Sequence, residues 1–253
     1  MRRLLKNTLT ALVDTYARWQ RFSFPEKYSW RWKLDMLIHR YEPETTRLFK
    51  QIVREGGVVI DVGAHIGYFT RLAAGRVGRS GRVYAFEPES ENRTLLIENT
   101  KWFDNVITLG EAITDRSGTV AFYRIRGSTG CHSTIAQENA ERSLVPATTL
   151  DVFMRENSIE HADVIKIDIE GGEAKALQGM EQTLRGIRHL IIEYNPAALS
   201  RAGADPRELL STLQEKGFTI SVLSRGKEIP LSDIHDVSAY LTSGSVNLHC
   251  KKS

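Results

Sequence analysis

Short runs rich in Val and Ile alternate with helix-length segments from residue 57 to the end of the chain. This alternation predicts β-α units arranged around a mainly parallel sheet. The predicted strands are Val58–Asp61, Val83–Glu87, Val106–Leu109, Val164–Asp168, His189–Tyr194, Phe218–Leu223 and Val246–Cys250. The predicted helices are Tyr68–Gly75, Ser90–Trp102, Leu150–Asn157, Glu173–Leu184 and Pro206–Lys216. Seven strands with these connections predict one doubly wound α/β domain.

The stretch 115–148 interrupts this alternation. A hairpin is predicted around Thr119–Arg126, and a polar segment, residues 127–134, follows it. Polar insertions between the elements of a rigid scaffold often carry functional residues. We therefore expect an inserted functional loop here.

Composition limits the class of protein. The chain has 253 residues, of which 41% are hydrophobic and 26% are charged, as is usual for a globular protein. Two cysteines, Cys131 and Cys250, are too few for a disulfide framework, so we expect free thiols and a cytoplasmic location. No window reaches the ~20 apolar residues that a membrane-spanning helix needs.

The first forty residues differ in charge from the rest. They contain nine basic and three acidic side chains, a net charge of +6, and three of the four tryptophans. The remaining 25 basic and 28 acidic residues give −3, so we expect no nucleic-acid partner.

Apolar residues recur at helical spacing through residues 4–22, with basic residues around them. The pattern predicts a basic amphipathic helix. Asp14 interrupts the apolar stretch and no small-residue cleavage site follows, which excludes a signal peptide. Two interpretations remain: a helix packed on its own domain or in a homodimer, and an interfacial helix in which residues 1–24 contact anionic lipid. We predict a helical extension over residues 1–50 and the α/β domain over residues 51–253.

A glycine turn follows the first predicted strand. Asp61 ends that strand, and Gly63 and Gly67 open into the next helix with the spacing G-x-x-x-G. This spacing differs from the G-x-G-x-x-G of dinucleotide sites, so a nicotinamide cofactor is disfavoured. Glu87 ends the next strand, where a carboxylate can accept both hydroxyls of a ribose. Asp61 and Glu87 together predict a cationic or amino-bearing nucleoside.

The run from Ile165 to Glu173 alternates apolar and charged residues. Lys166, Asp168 and Glu170 are predicted on one strand face, near the carboxyl edge of the sheet. A lysine within an apolar strand needs a partner, so we expect Lys166 to pair with Asp168 or another carboxylate. Asp168 and Glu170 are candidate proton acceptors. We expect no metal, because only two or three carboxylates occur here without His or Cys ligands.

Two further regions supply candidate site residues. His132 lies in the inserted loop, and its imidazole titrates near neutrality, as a general base requires. Its neighbour Ser133 is a hydrogen-bonding type suited to a polyhydroxyl substrate. Glu193 and Asn195 end the fifth predicted strand and are candidate substrate contacts.

Taken together, these motifs resemble class I S-adenosylmethionine-dependent methyltransferases, and more narrowly the FkbM family. The resemblance extends from about residue 41 to 196. The matching stretches are Tyr41–Thr45, Val59–Thr70, Phe86–Pro88, Thr149–Asp151 and Ile165–Glu173. It implies a Rossmann-like, seven-stranded, mainly parallel sheet with helices on both faces and an antiparallel last strand. His65 stands where the family commonly has Asn.

The resemblance also implies roles for individual residues. Asp61, Gly63, Ala64 and Gly67 would line the methionine portion of S-adenosylmethionine, Glu87 would hold the ribose, and Ala112 would lie near the adenine. The implied activity is methyl transfer to a hydroxyl of a sugar, glycan or natural product. N-methylation, a lipid-linked or protein acceptor, and a non-catalytic scaffold remain alternatives. The Asn/Asp-Pro-Pro-Tyr signature of many amino-group methylases is absent.

Overall fold

The computed structural model describes residues 2–125, 130, 132–136, 140–242 and 244–252. The helices are α1 Arg2–Trp19, α2 Trp30–Leu37, α3 Pro43–Ile52, α4 Tyr68–Val77, α5 Ser90–Thr100, α6 Leu150–Glu156, α7 Glu173–Gln178, α8 Glu181–Gly186, α9 Pro196–Arg201 and α10 Pro206–Glu215. The strands are β1 Val58–Val62, β2 Arg82–Phe86, β3 Val106–Leu109, β4 Ala112–Ile113, β5 Gly118–Ile125, β6 Ala140–Thr148, β7 Val164–Ile167, β8 His189–Tyr194, β9 Thr219–Ser224, β10 Lys227–Pro230 and β11 Val246–Lys251.

The main sheet has the order β10-β9-β11-β8-β7-β1-β2-β3. Neighbouring strands from β8 to β3 are parallel, whereas β11 is antiparallel to both β8 and β9. The α/β class, the seven predicted strands and the antiparallel last strand are confirmed. The short strand β10 pairs antiparallel with β9 and adds an eighth strand at the edge.

Residues alternate between the two faces of the sheet, and each face has its own core. In β1, Ile60 and Val62 pack with α6 to α10, while Val59 packs with α3 and α4. This alternation follows from the two-residue period of a strand, and it accounts for the helices on both faces. Since the parallel strands end at one edge, the groups after β1, β2 and β7 converge there.

Two predicted elements differ in the structure. The helix predicted over Glu173–Leu184 is two helices, α7 and α8, separated at Gly179. A Cβ at Gly179 would lie 2.2 Å from the carbonyl oxygen of Thr114, directly after β4, so only glycine fits at this close approach between the two segments. Asp151 then caps the start of α8 by accepting hydrogen bonds from the backbone N–H groups of Gln182 and Thr183.

The hairpin predicted around residues 119–126 is larger than expected. Residues 118–125 form the single strand β5, which pairs antiparallel with β6. The short strand β4 pairs parallel with β6 and completes a second sheet of three strands. This small sheet stands beside the carboxyl edge of the main sheet, where it brings Ala112 and Phe122 to the cavity described below.

The N-terminal segment packs on the α/β domain. Val13 and Ala17 of α1 are buried in a core that also contains Phe22, Phe49 and residues of β1 and α4. Lys33 of α2 pairs with Asp14 of α1, with 2.7 Å between Nζ and Oδ1. The predicted domain boundary after residue 50 falls within α3 and stays a prediction. Among the described residues, no helix is long and apolar enough to cross a bilayer.

Asn99 fastens the N-terminal segment to the domain. Its side chain is fully buried in α5; Oδ1 accepts the Ser23 N–H at 2.6 Å, and Nδ2 donates to the carbonyl oxygens of Ser23 and Ile66. Truncating Asn99 would leave buried backbone groups without partners, which is more costly than losing an exposed hydrogen bond.

We expect Asn99→Ala to lower the free energy of unfolding by about 3 kcal/mol, measured by urea denaturation. Thr94→Ala is the matched control in the same helix, because its hydroxyl bonds only the exposed Ser90 carbonyl oxygen. The control should lie within about 0.5 kcal/mol of the wild type. Equal stability of the two variants would contradict the proposal that the Asn99 hydrogen bonds hold the N-terminal segment on the domain.

Candidate active site

A cavity of about 520 Å³ opens at the carboxyl edge of the main sheet. Its walls come from the ends of β1, β2, β7 and β8, from the small sheet, and from the segment between α1 and α3. The position agrees with the general rule that open α/β sheets bind ligands outside the carboxyl ends of their strands.

Asp61 offers an unpartnered carboxylate oxygen to this cavity. The side chain is 1% exposed, and its Oδ2 accepts a hydrogen bond from the Thr70 hydroxyl at 2.6 Å. Its Oδ1 is buried without a hydrogen-bond partner. Burial raises the pKa of Asp61, although the Lys166 ammonium opposes this shift. A buried acceptor of this kind is satisfied by a ligand that brings a hydrogen-bond donor, above all a cationic one.

The turn after β1 depends on Gly63. Gly63 has φ +82°, and a Cβ there would lie 1.8 Å from the Asp168 carbonyl oxygen. The N–H groups of Gly63 and Ala64 both donate to the Phe86 carbonyl oxygen. Gly67 lies outside the cavity wall, at the start of α4. It has φ +91°, and a Cβ there would lie 2.8 Å from the Leu96 side chain. Gly63 and Ala64 line the cavity, whereas Gly67 supports it from behind.

Glu87 lies directly after β2 with its carboxylate buried in the cavity wall. Oε2 accepts the His65 N–H at 2.8 Å and Oε1 accepts the Glu89 N–H at 2.9 Å. Burial raises the pKa of Glu87 to about 7, even though both hydrogen bonds favour the ionised form. Each oxygen retains a lone pair for a ligand hydroxyl. Ala112 of β4 lines the neighbouring wall, and its place beside a bound base stays a prediction.

Lys166 and Asp168 form the expected ion pair, with 2.9 Å between Nζ and Oδ2. Lys166 is 3% exposed and lies over the Phe69 ring. Glu170, predicted to continue the strand face, instead lies in a turn after β7 with φ +55°. The Glu173 carboxylate fixes this turn by accepting the N–H groups of Ile169 and Gly171.

Three carboxylates face one another beside this ion pair. Asp168, Glu170 and Glu193 each offer an oxygen, and these oxygens lie within 4.8 Å of one another. Burial first, and then the neighbouring carboxylates, raise the pKa of Glu170 to about 7 and that of Glu193 to about 9. The group can hold a proton, and its geometry could also hold a cation. The expectation that no metal is used stays a prediction.

The inserted loop contributes His132 and Ser133. The His132 Nδ1 accepts the Ile125 N–H at 3.2 Å, so a neutral imidazole presents a protonated Nε2 to the cavity. Burial lowers the pKa of His132. The Ser133 hydroxyl donates to the carbonyl oxygens of Ile169 and Glu170, and so holds the loop against the turn after β7. Residues 126–129, Cys131 and residues 137–139 lie outside the described part of the chain.

Asn195 lies away from the other predicted substrate contacts. Its Oδ1 caps α9 by accepting the Ala198 N–H at 3.0 Å, and the residue does not line the cavity. A polar side chain just before Pro196 is itself a helix-start signal. Glu193, two residues earlier, does line the cavity.

An aromatic wall that sequence reasoning missed closes the cavity on the N-terminal side. It consists of Tyr28, Trp32 and Tyr41, whose neighbouring ring centroids are 5.6 and 6.0 Å apart. Tyr28 Oη also lies 3.3 Å from the His65 Nε2. Glu42 follows at the start of α3, with its carboxylate accepting from the Asn247 side chain. The concentration of tryptophans before residue 40 was the available signal.

A doubly wound sheet with a glycine turn after one central strand and a buried acid after the next is the arrangement by which α/β folds bind a nucleoside, and S-adenosylmethionine-dependent methyltransferases are one class that has it. Residues 61–220 match the Methyltransferase FkbM domain, and the chain belongs to this FkbM methyltransferase family. The predicted family, enzyme class and cofactor, S-adenosylmethionine, are thereby confirmed. The match both begins and ends further along the chain than the predicted resemblance, which extended from about residue 41 to 196.

Two curated relatives resemble most of the chain. Hexuronic acid methyltransferase AglP of Haloferax volcanii is 24% identical over 191 residues, which are 75% of this chain and 74% of the relative. The 2-O-methyltransferase NoeI of Sinorhizobium fredii is 23% identical over 194 residues, which are 69% of this chain and 79% of the relative.

The chain also matches solved structures, with TM-scores below 0.5. A SAM-dependent O-methyltransferase from Thermotoga maritima is 14% identical with a TM-score of 0.46, over 83% of this chain and 65% of that one. A protein from Streptococcus mutans, solved in complex with SAH, is 12% identical with a TM-score of 0.49, over 85% of this chain and 97% of that one.

Gly63→Ala is expected to weaken binding of S-adenosylhomocysteine at least about tenfold, because its Cβ would displace the Asp168 carbonyl and because positive φ strains alanine. Gly75→Ala is the matched control, since nothing lies within 4 Å of its Cβ in α4. Isothermal titration calorimetry measures both. Wild-type affinity of Gly63→Ala would contradict the described turn.

Proposed function

We propose that this enzyme transfers the methyl group of S-adenosylmethionine to a hydroxyl oxygen of a sugar, glycan or natural-product acceptor. The observation that carries the proposal is the group of three carboxylates, Asp168, Glu170 and Glu193, directly beside the glycine turn. AglP and NoeI, which are named for hexuronic acid methylation and 2-O-methylation, support an oxygen acceptor on a sugar.

The residues of the cavity fit the cofactor. The unpartnered Oδ1 of Asp61 suits the ammonium group of the methionine portion, which would satisfy a buried acceptor. Gly63 and Ala64 leave room for a close approach by the ligand, and Glu87 would accept the ribose hydroxyls. Ala112 would lie against the adenine. Gly67 would act indirectly, by starting α4 behind the glycine turn.

S-adenosylmethionine supplies an electrophilic methyl group on a positively charged sulfur. The enzyme's own residues then need to bind the acceptor, exclude water and take one proton from the attacking hydroxyl. As the new C–O bond forms and the C–S bond breaks, that proton would pass to Glu170. A pKa of about 7 leaves a large ionised fraction at neutral pH and makes this carboxylate a better base than an ordinary one.

Asp168 and Glu193 would complete the acceptor site. Asp168 is tied to Lys166, so it keeps its position and can accept a hydrogen bond from the acceptor hydroxyl. Glu193, whose pKa is about 9, is protonated at neutral pH and can donate a hydrogen bond to an acceptor oxygen. Tyr28, Trp32 and Tyr41 offer apolar ring faces, which suit the C–H face of a sugar ring.

His132 remains an alternative base, but its hydrogen bond with the Ile125 N–H disfavours it. With Nδ1 occupied, the neutral ring can donate from Nε2 but cannot accept a proton there. We therefore propose that His132 and Ser133 contact the acceptor as hydrogen-bonding groups at the edge of the cavity.

The acceptor class is tested with methyl-labelled S-adenosylmethionine and two sets of acceptors, neutral and uronic acid glycosides in one and primary amines in the other. The proposal expects label on an ether oxygen of a glycoside, identified by NMR of the product. Label found only on nitrogen would contradict it.

The role of Glu170 is tested by the pH dependence of kcat. Because a base must be ionised, kcat should rise with pH through an apparent pKa near 7 in the wild type. Glu170→Gln should lower kcat by about 10²–10⁴-fold and remove this rise, while the affinity for S-adenosylhomocysteine stays unchanged. Asp168→Asn should lower kcat as well.

His132→Gln is the control for the alternative base. It should retain the rise in kcat near pH 7, since Glu170 remains. Loss of the rise in His132→Gln but not in Glu170→Gln would assign the base to His132 and refute the proposal.

A further inference from the structure

Helix α1 presents an apolar stripe to solvent on the side opposite its packing face. Leu5 and Leu12 are each 62% exposed and Trp19 is 74% exposed. Seven residues are almost two turns of an α-helix, so these three side chains form one line along α1. The inner face, with Val13 and Ala17, is already buried in the domain. The stripe is therefore not needed for packing α1 on its own domain.

The charge around the stripe is basic. Lys6, Arg18 and Arg21 are exposed, and Arg2 and Arg3 begin the helix in the sequence. Asp14 is the only acid of α1, and its charge is paired with Lys33 of α2. The exposed surface around the stripe thus combines apolar side chains with positive charge.

A second exposed aromatic residue adjoins the end of α1. The Arg21 guanidinium lies 4.1 Å from the centre of the Trp102 ring, and the Lys101 ammonium lies 5.1 Å from it. Trp102 is 53% exposed. Two tryptophans beside basic residues are typical of protein surfaces at the level of lipid headgroups. We call Leu5, Leu12, Trp19 and Trp102, with the exposed basic residues Lys6, Arg18, Arg21 and Lys101 around them, the α1 outer face.

We propose that the α1 outer face docks the enzyme on the surface of an anionic lipid bilayer. Its leucines and tryptophans would enter the boundary between headgroups and acyl chains, and its basic residues would contact the anionic headgroups. This inference goes beyond the proposed reaction and does not depend on the identity of the acceptor.

A second copy of the chain fits this face less well. A helix pair needs apolar residues at two positions of each heptad, but three residues after Leu5 and Leu12 the chain has Thr8 and Thr15. Four residues after them it has Leu9 and Tyr16, and Tyr16 already packs against the core of its own domain. A symmetric pairing would also bring the basic residues of two α1 helices together without acids between them. Charge complementarity therefore favours an anionic surface over a homodimer.

The test is cosedimentation of the full-length protein with vesicles of phosphatidylcholine alone or with about 30% phosphatidylglycerol. We expect binding to the anionic vesicles only, weakening as salt is added. Leu5→Ser/Leu12→Ser/Trp19→Ser should bind at least about tenfold more weakly, as should Lys6→Ala/Arg18→Ala. Point variants are preferred to deletion of residues 1–24, because deletion would remove Val13, Ala17 and Phe22 from the core.

Leu144→Ser/Ile107→Ser is the matched control, since both side chains are exposed apolar residues distant in sequence from α1. It should bind vesicles like the wild type, and all variants should bind S-adenosylhomocysteine normally. Absence of wild-type binding to anionic vesicles, or unchanged binding of both α1 variants, would refute the proposal. A wild-type dimer that the stripe variant converts to a monomer in analytical ultracentrifugation would assign the face to a second copy instead.

Discussion

The acidic edge of the sheet depends on one buried cation, Lys166. Burial opposes its charge, but Asp168, Glu42 and Asp61 favour it and together raise the pKa of Lys166 above its ordinary value. An unpaired buried ammonium would be strongly destabilising, and so would buried carboxylates without a cation. Lys166 therefore allows acids from β1, from the start of α3 and from the end of β7 to converge beside one cavity.

Lys166 does not neutralise every acid at this edge. Glu170 and Glu193 lie farther along it, and their pKa values of about 7 and 9 reflect burial and repulsion by Asp168. The edge thus has one part in which the Lys166 ammonium opposes the rise in the pKa of Asp61 and Glu42, and a second part, Glu170 and Glu193, that can hold protons near neutral pH. The first part suits a cationic cofactor, and the second suits proton exchange with an acceptor hydroxyl. Both parts lie at the edge of the sheet where the parallel strands end.

Local sequence patterns predicted the elements that are determined by the residues within them. The Val and Ile runs located β1, β7 and β8, and the positions of Gly63 and Glu87 predicted the turn and the acid of the cavity. Features set by distant contacts were missed. The need for glycine at position 179 depends on the Thr114 carbonyl oxygen, and the place of Trp32 beside the cavity depends on how α2 packs on the domain. Asn195, a predicted substrate contact, caps α9 in the structure. The sequence could not distinguish these roles, because a helix cap and a ligand contact use the same residue type.

A crystal structure of the enzyme with S-adenosylhomocysteine would test the central claim most directly, namely that the acidic edge around Lys166 is the cofactor cradle. The account predicts the amino group of the ligand against Asp61 Oδ1, the ribose hydroxyls against Glu87, and the sulfur facing Asp168 and Glu170. A ligand bound elsewhere, or bound here with Asp61 Oδ1 still unpartnered, would contradict it.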